Sequence, residues 1–276
     1  MDISWRRLLE ATRSEIDDSG YASAVPESPP GSGDAPLIDG ANFEVFGRAL
    51  DRRFRALLTI AAEAGASASL AKAARRPTLD AAAVLEAAIA ADRKRLDALA
   101  DAAGADRDAF VPVAAVTAMP LLHACARRWS PLVKADWDHG YCPICGAWPA
   151  LAETRGLERE RRLRCTRCGG DWRTEWFRCP FCGNCDRLRL GAFVPEATAE
   201  TRKAETCAAC RRYVKTVTTL TATPAPEVAI QDLATVDLDV CALAHGYQAA
   251  QGLGHAVSVR VTTRTRASRE EWLRRP

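Results

Sequence analysis

Charge of one sign is what this 276-residue chain lacks most plainly. Its 38 Lys and Arg nearly cancel its 35 Asp and Glu, leaving +3. That balance excludes a function resting on electrostatic attraction alone, so neither nucleic-acid binding nor membrane insertion is expected. Long apolar runs are scarce at the start. "MDISWRRLLEATRSEIDD" is broken by charge every few residues, so no signal peptide is expected. Arg6-Arg7 is not followed by the hydrophobic stretch a twin-arginine signal needs, because Glu10 and Arg13 stand there. No segment reads as a membrane span, and the chain is expected in the cytoplasm, where thiols stay reduced. Recognisable catalytic patterns are missing too. There is no Ser, His and Asp arrangement, no GxGxxG, no Walker sequence and no HExxH, so an enzyme is not expected.

Cysteine, by contrast, is plentiful, with eleven in all. In a reducing compartment such a count favours metal over disulfides. Eight form Cys-x-x-Cys pairs in "YCPICG", "RCTRCGG", "RCPFCGN" and, more loosely, "TCAACRR". A tetrahedral ion needs four thiolates, which two such turns supply, and a glycine after the second cysteine tolerates the positive φ of a tight knuckle. The consecutive grouping gives a first site of Cys142, Cys145, Cys165 and Cys168. Its second site holds Cys179, Cys182, Cys207 and Cys210. An interleaved grouping, first pair with third, is the alternative. Thioredoxin-type redox pairs would need a helix directly after the cysteines, and none is expected after Cys145 or Cys182. A set of four cysteines suits iron and zinc equally, so two sites of either metal are expected, with structural roles because four protein ligands leave no open position. Of the remaining thiols, Cys125 and Cys241 read as small core residues. Cys185 reads as an exposed thiol or a ligand in exchange, and His139 as a surface residue beside the first knuckle.

The fold expected is α+β: an N-terminal all-α domain, two rubredoxin-like or zinc-ribbon modules, and a C-terminal helix. The segments are a loose arm at 1–40, helices at 41–136, a first metal ribbon at 137–175, a second at 176–223, the helix at 224–252 and a tail at 253–276. Phe43, Phe46, Leu50, Phe54, Leu57 and Leu58 space as one helical face, with Asn42 as cap and Gly65 as stop. A second helix is expected from Thr78 to Gly104, and a third is expected to break at Pro120. Short strand patterns alternate with the knuckles from Trp137 onward.

Read together, "APLIDGANFEVFGRALDRR", "GYCPICGAWPAL", "RRLRCTRCGGDWRTEWFRCPFCGN" and "KAETCAACRRYVKT…DLATVDLDVCALAHGY" resemble the formate dehydrogenase accessory protein family (FdhE), over about residues 35 to 250. Gln231 and Cys185 stand outside the shared pattern. The resemblance implies a cytoplasmic maturation protein that binds the catalytic subunit of formate dehydrogenase and carries rubredoxin-like iron sites. A homo-oligomer is compatible with the sequence. The C-terminal helix is read with Leu233, Val236, Val240, Leu243 and Tyr247 buried. Asp232 and Asp239 then lie on one flank of that stripe, Asp237 on the other beside Cys241, and Leu238 on the opposite, exposed face, so Asp232, Asp237, Leu238 and Asp239 are the candidate partner-binding residues. Two other functions fit the knuckles: a zinc-ribbon nucleic-acid binder, suggested by Arg155, Arg159, Arg161, Arg162 and Arg164, and a rubredoxin-type electron carrier.

Overall fold

The computed structural model describes residues 3–17, 19–195 and 201–264. Helix α1 (Ile3–Asp17) buries Leu8, Leu9 and Ile16, and it packs along α6 (Arg107–Trp129). Arg127 Nη1 donates to the Ile16 carbonyl at 2.6 Å, and Trp129 Nε1 donates to that of Pro26 at 3.1 Å. The described residues among the first forty are therefore not a loose arm. Ile38 is fully buried, and the amides of Leu37 and Ile38 donate to the carbonyls of Pro143 and Ile144 in the first knuckle. Proline and glycine in this stretch shape a fixed path.

The apolar spacing from Phe43 to Leu58 hides a change of structure. Residues Asn42–Phe46 form strand β1, and helix α2 begins only at Gly47 and runs to Glu63. A second short strand, β9 (Arg260–Arg264), pairs with β1 in parallel, residue for residue from Asn42 against Arg260. Part of the expected tail is thus structured, while residues 265–276 lie outside the described residues. The helix expected from Thr78 to Gly104 is two, α4 (Ala81–Ile89) and α5 (Arg93–Ala103), after a short α3 (Ala68–Ala73). Ala91 at φ 51° makes the break, and Asp80 and Asp92 cap the two starts by accepting from backbone amides. Helix α6 runs through both Pro112 and Pro120 without ending. A missing hydrogen bond at proline costs a free helix about 3 kcal/mol, but here Leu121, Leu122 and Phe110 hold the helix from several sides. By length and composition α6 could also cross a membrane, contrary to the sequence reading; in this fold it is the central, mostly buried helix of the bundle.

From Leu151 the chain forms a sheet. Strands β2 (Leu151–Arg155), β3 (Glu160–Arg164) and β4 (Asp171–Arg173) belong to the first ribbon. Strands β5 (Leu190–Phe193), β6 (Arg202–Cys207) and β7 (Arg212–Thr219) belong to the second. Within each ribbon neighbouring strands are antiparallel, and β2 pairs in parallel with β7. The order β4-β3-β2-β7-β6-β5, with β8 (Gln248–Ala249) added to the start of β7, makes both ribbons halves of one sheet among the described residues. The expected mixture of helical bundle and two ribbons holds. The C-terminal helix is divided into α7 (Val228–Leu233) and α8 (Val236–Ala244).

Packing decides which ribbon depends on what. The main core is continuous from the helices through Cys142, Cys145, Cys165 and Cys168 to Trp172. A separate small core of Ala204, Tyr213, Leu238 and Ala242, flanked by Phe193 and Tyr247, holds α8 against the second ribbon.

Candidate metal centres

The structure brings the eight paired cysteines into two groups, in the consecutive arrangement. In the first, Sγ of Cys142 lies 3.5 Å from that of Cys168, and Cys145 lies 3.5 Å from Cys165. In the second, Cys179 is 3.7 Å from Cys210 and Cys182 is 3.8 Å from Cys207. Within each group all four sulfurs lie within 4.8 Å of one another. A disulfide would bring sulfurs to about 2.05 Å. Metal–sulfur bonds of about 2.3 Å in a tetrahedron put sulfurs about 3.8 Å apart. The spacing matches the second figure and excludes the first.

Local backbone builds each knuckle the same way. The amide of Gly146 donates to the Cys142 carbonyl at 2.9 Å, Gly169 to Cys165 at 2.9 Å, and Gly183 to Cys179 at 2.9 Å. All three glycines have φ near +70°, the left-handed region where a side chain is strained. In the fourth knuckle Arg211 takes that place at φ 57°, donating to the Cys207 carbonyl at 2.8 Å. Its guanidinium donates to the carbonyls of His245 at 2.9 Å and Gly246 at 3.2 Å and lies 4.2 Å from the Tyr247 ring. Gly170 has a different function. A Cβ there would stand 3.0 Å from Cys142 Sγ and 3.1 Å from Cys168 Sγ, so a side chain would crowd two thiols of the group.

The two groups differ in setting. Every cysteine of the first is fully buried, whereas in the second Cys182 is exposed and Cys210 half-buried. Burial pushes the Cys142 and Cys179 thiols up, which favours the neutral form until a cation compensates the charge. Close against the first group lies His123 on α6, whose Cε1 would be 2.8 Å from a Cβ on Gly169. Burial holds His123 down to about 4, and its Nε2 has no hydrogen-bond partner. No pattern in the sequence singles out His123; only the packing of α6 on the knuckle shows it. His139 stacks on Tyr141 and pairs with Asp34 at 3.3 Å, away from the thiols.

Three thiols stand apart from both groups. Cys125 is buried in α6, as expected. Cys185 is exposed, its Sγ 3.4 Å from the Gly183 carbonyl. Cys241 is only half-buried rather than a core residue, and lies 4.0 Å from His245 Nδ1.

The candidate partner-binding residues are placed differently from the sequence reading. Leu238 is 1 % exposed and sits in the small core, while Val236, Val240 and Leu243 face outward. Helix α8 is turned so that its Asp239, together with Asp232 of α7, meets a buried partner. Lys215 Nζ reaches Asp232 Oδ1 at 2.7 Å and Asp239 Oδ2 at 2.8 Å, and Tyr213 donates its hydroxyl to Asp239 at 2.7 Å. Asp237 stays at the surface and pairs with Arg202 at 3.0 Å. The arginines of β2 and β3 are likewise engaged. Arg164 pairs with Glu153 at 2.7 Å, Arg161 with Glu205 at 2.8 Å, and Arg155 and Arg162 both with Asp171.

Residues 177–253, from the second ribbon through α8, match the family model for the C-terminal domain of FdhE. The chain is 31 % identical over 114 residues to an FdhE homologue of Aquifex aeolicus and 34 % identical over 113 residues to one of Stutzerimonas stutzeri. The findings support the FdhE family. The matches span 40 % and 36 % of those relatives' length, and 40 % of this chain in each case. A crystal structure of the FdhE protein from Pseudomonas aeruginosa superposes with a TM-score of 0.51 at 19 % identity, covering 91 % of this chain and 95 % of that one, which shows a shared fold. The FdhE resemblance read from the knuckles is borne out.

Proposed function

We propose that this chain is an accessory protein for the maturation of formate dehydrogenase, acting in the cytoplasm by binding the catalytic subunit and catalysing no reaction itself. The observation that carries the reading is the pair of four-cysteine groups in the knuckle order that first suggested FdhE, within a chain similar to FdhE proteins. Cys142, Cys145, Cys165 and Cys168 would hold one ion, and Cys179, Cys182, Cys207 and Cys210 a second, of iron or zinc. Iron bound there would supply a one-electron couple, and zinc a purely structural cross-link. What the chain itself contributes is a closed thiolate cage, with glycines admitting the backbone at Gly146, Gly169, Gly170 and Gly183.

The client face is assigned to α8 and the ribbon beneath it. Its outer row is Val236, Val240 and Leu243, stepping by four and three, with Asp237 on the margin. Asp232, Leu238 and Asp239 hold the helix from below. An apolar row beside a charged margin suits a transient interface. Pull-down of the formate dehydrogenase catalytic subunit from cells expressing both proteins tests this. Val240→Asp is expected to cut recovery of the subunit several-fold with metal content unchanged. Full recovery with Val240→Asp and with Leu243→Asp would move the interface elsewhere. No recovery even with the unaltered chain would remove the maturation reading.

A further inference from the structure

The stretch "NFEVFGRALDRR" contributes nothing to either metal group, yet it builds the wall of a cavity of about 820 Å³ at the start of α2. Four arginines line it: Arg48, Arg52 and Arg53 from α2 and Arg264 from β9. Against them stands one lining carboxylate among the described residues, Glu15 of α1. Arg53 is 7 % exposed; its Nη1 meets the Glu15 carboxylate, while no hydrogen-bond acceptor meets its Nε or Nη2 among the described residues. Glu15 at the rim is its single counter-charge among the described residues. Arg48 and Arg52 are exposed and have no carboxylate partner among the described residues, because the nearest acid in sequence, Asp51, is held by Arg55 at 2.8 Å. Arg264 pairs with Glu44 at 3.7 Å and lies over the Phe46 ring.

The start of α2 adds to this positive field. No side chain caps its first turn and no acid occupies it, so its free amides keep their partial positive charge. Arg48, Ala49 and Leu50 of that turn all line the cavity. Tyr21 and Val45, with Leu50, supply apolar wall. A buried guanidinium that meets one carboxylate at Nη1 and leaves Nε and Nη2 unmet is an expensive arrangement unless a further anion completes it.

We infer that this cavity binds an organic phosphate, its phosphate held by Arg48, Arg52, Arg53 and the α2 amides and its apolar or ring portion against Tyr21 and Leu50. The volume lies within the range of small-molecule sites. Arginine forks fit phosphate oxygens in pairs, which a single carboxylate at the rim does not satisfy. This inference does not depend on the metal groups or on a client subunit.

Calorimetric titration of the full chain with ATP, with inorganic pyrophosphate and with adenosine tests it. ATP is expected to bind saturably, more tightly than pyrophosphate, with no binding of adenosine. The double variant Arg48→Gln, Arg52→Gln alters exposed side chains only and is expected to weaken ATP binding by about tenfold or more. Glu15→Gln, which removes the competing carboxylate, is expected to tighten it about threefold, an effect that misfolding does not produce. Three results would overturn the inference: no saturable ATP binding below about 1 mM, ATP binding unchanged in the double variant, or binding unchanged or weakened in Glu15→Gln. Pyrophosphate binding as tightly as ATP would overturn the organic half of the assignment.

Discussion

At position 211 the fourth knuckle puts arginine where the other three have glycine, and it still adopts φ 57°. Left-handed backbone costs a side-chain-bearing residue roughly 1 kcal/mol. Two bonds to the carbonyls of His245 and Gly246 and the stack on Tyr247 offset it, at about 1 kcal/mol for exposed charged bonds and about 0.5 for the ring. Arg211→Gly is therefore expected to lower stability by about 0.5–1 kcal/mol, seen as a lower melting temperature with metal content unchanged. A higher melting temperature would show that strain outweighs the contacts. Lys215 is the sharper case, since it is buried between Asp232 and Asp239. Removing one partner of a buried pair typically costs 3–5 kcal/mol, and these carboxylates are about a quarter exposed, so Lys215→Met should cost about 2–3. Burial raises the Asp232 pKa, so Asp232 favours the fold below its ordinary value and loses that contribution as pH rises through the raised one. With Lys215 gone that rise grows. The gap between variant and wild-type melting temperatures is thus expected to narrow as pH falls into the carboxylate range, and a gap independent of pH would contradict this.

Elements were legible where their cause is local and hidden where it is distant. The knuckles announce themselves, because spacing of two and a following glycine are all the turn requires. Strand β1 does not, because its partner β9 lies more than two hundred residues later, and Phe43 and Phe46 fit a helical face equally well. Helix α8 misled for another reason. It carries apolar residues on both sides, and the side that turns inward is set by Lys215 on β7, which periodicity cannot reveal. The ribbons hold a similar surprise, since the parallel pairing of β2 with β7 joins them. The first cage lies in the core shared with the helices and the second at the more open half of the sheet. Chelation is accordingly expected in two stages. Hydrogen exchange should rise first across residues 179–195 and 201–219, with residues 142–172 still protected, and the helical circular dichroism should fall only when the second ion leaves. Loss of both ions in one step would contradict this ranking, and full helical signal without metal would make the bundle independent of the first cage.

Across the whole molecule, the two thiolate cages are what join the pieces. The first knuckle receives Leu37 and Ile38 from the N-terminal side, and Gly254 from the C-terminal side donates to the Gly146 carbonyl at 2.7 Å. The second is tied to α8 through Lys215, which pairs with Asp239, and through Arg211, which donates to the His245 carbonyl at the end of that helix. Bundle, sheet and proposed client face thus all converge on cysteines, and metal content reports directly on the account. The decisive measurement is metal counting on anaerobically purified protein, with an absorption spectrum to separate coloured ferric thiolate from colourless zinc. About two ions per chain are expected, falling to about one in Cys182→Ser, whose side chain is exposed and whose loss spares the first cage. Two ions retained in Cys182→Ser, or none bound by the unaltered chain, would contradict it.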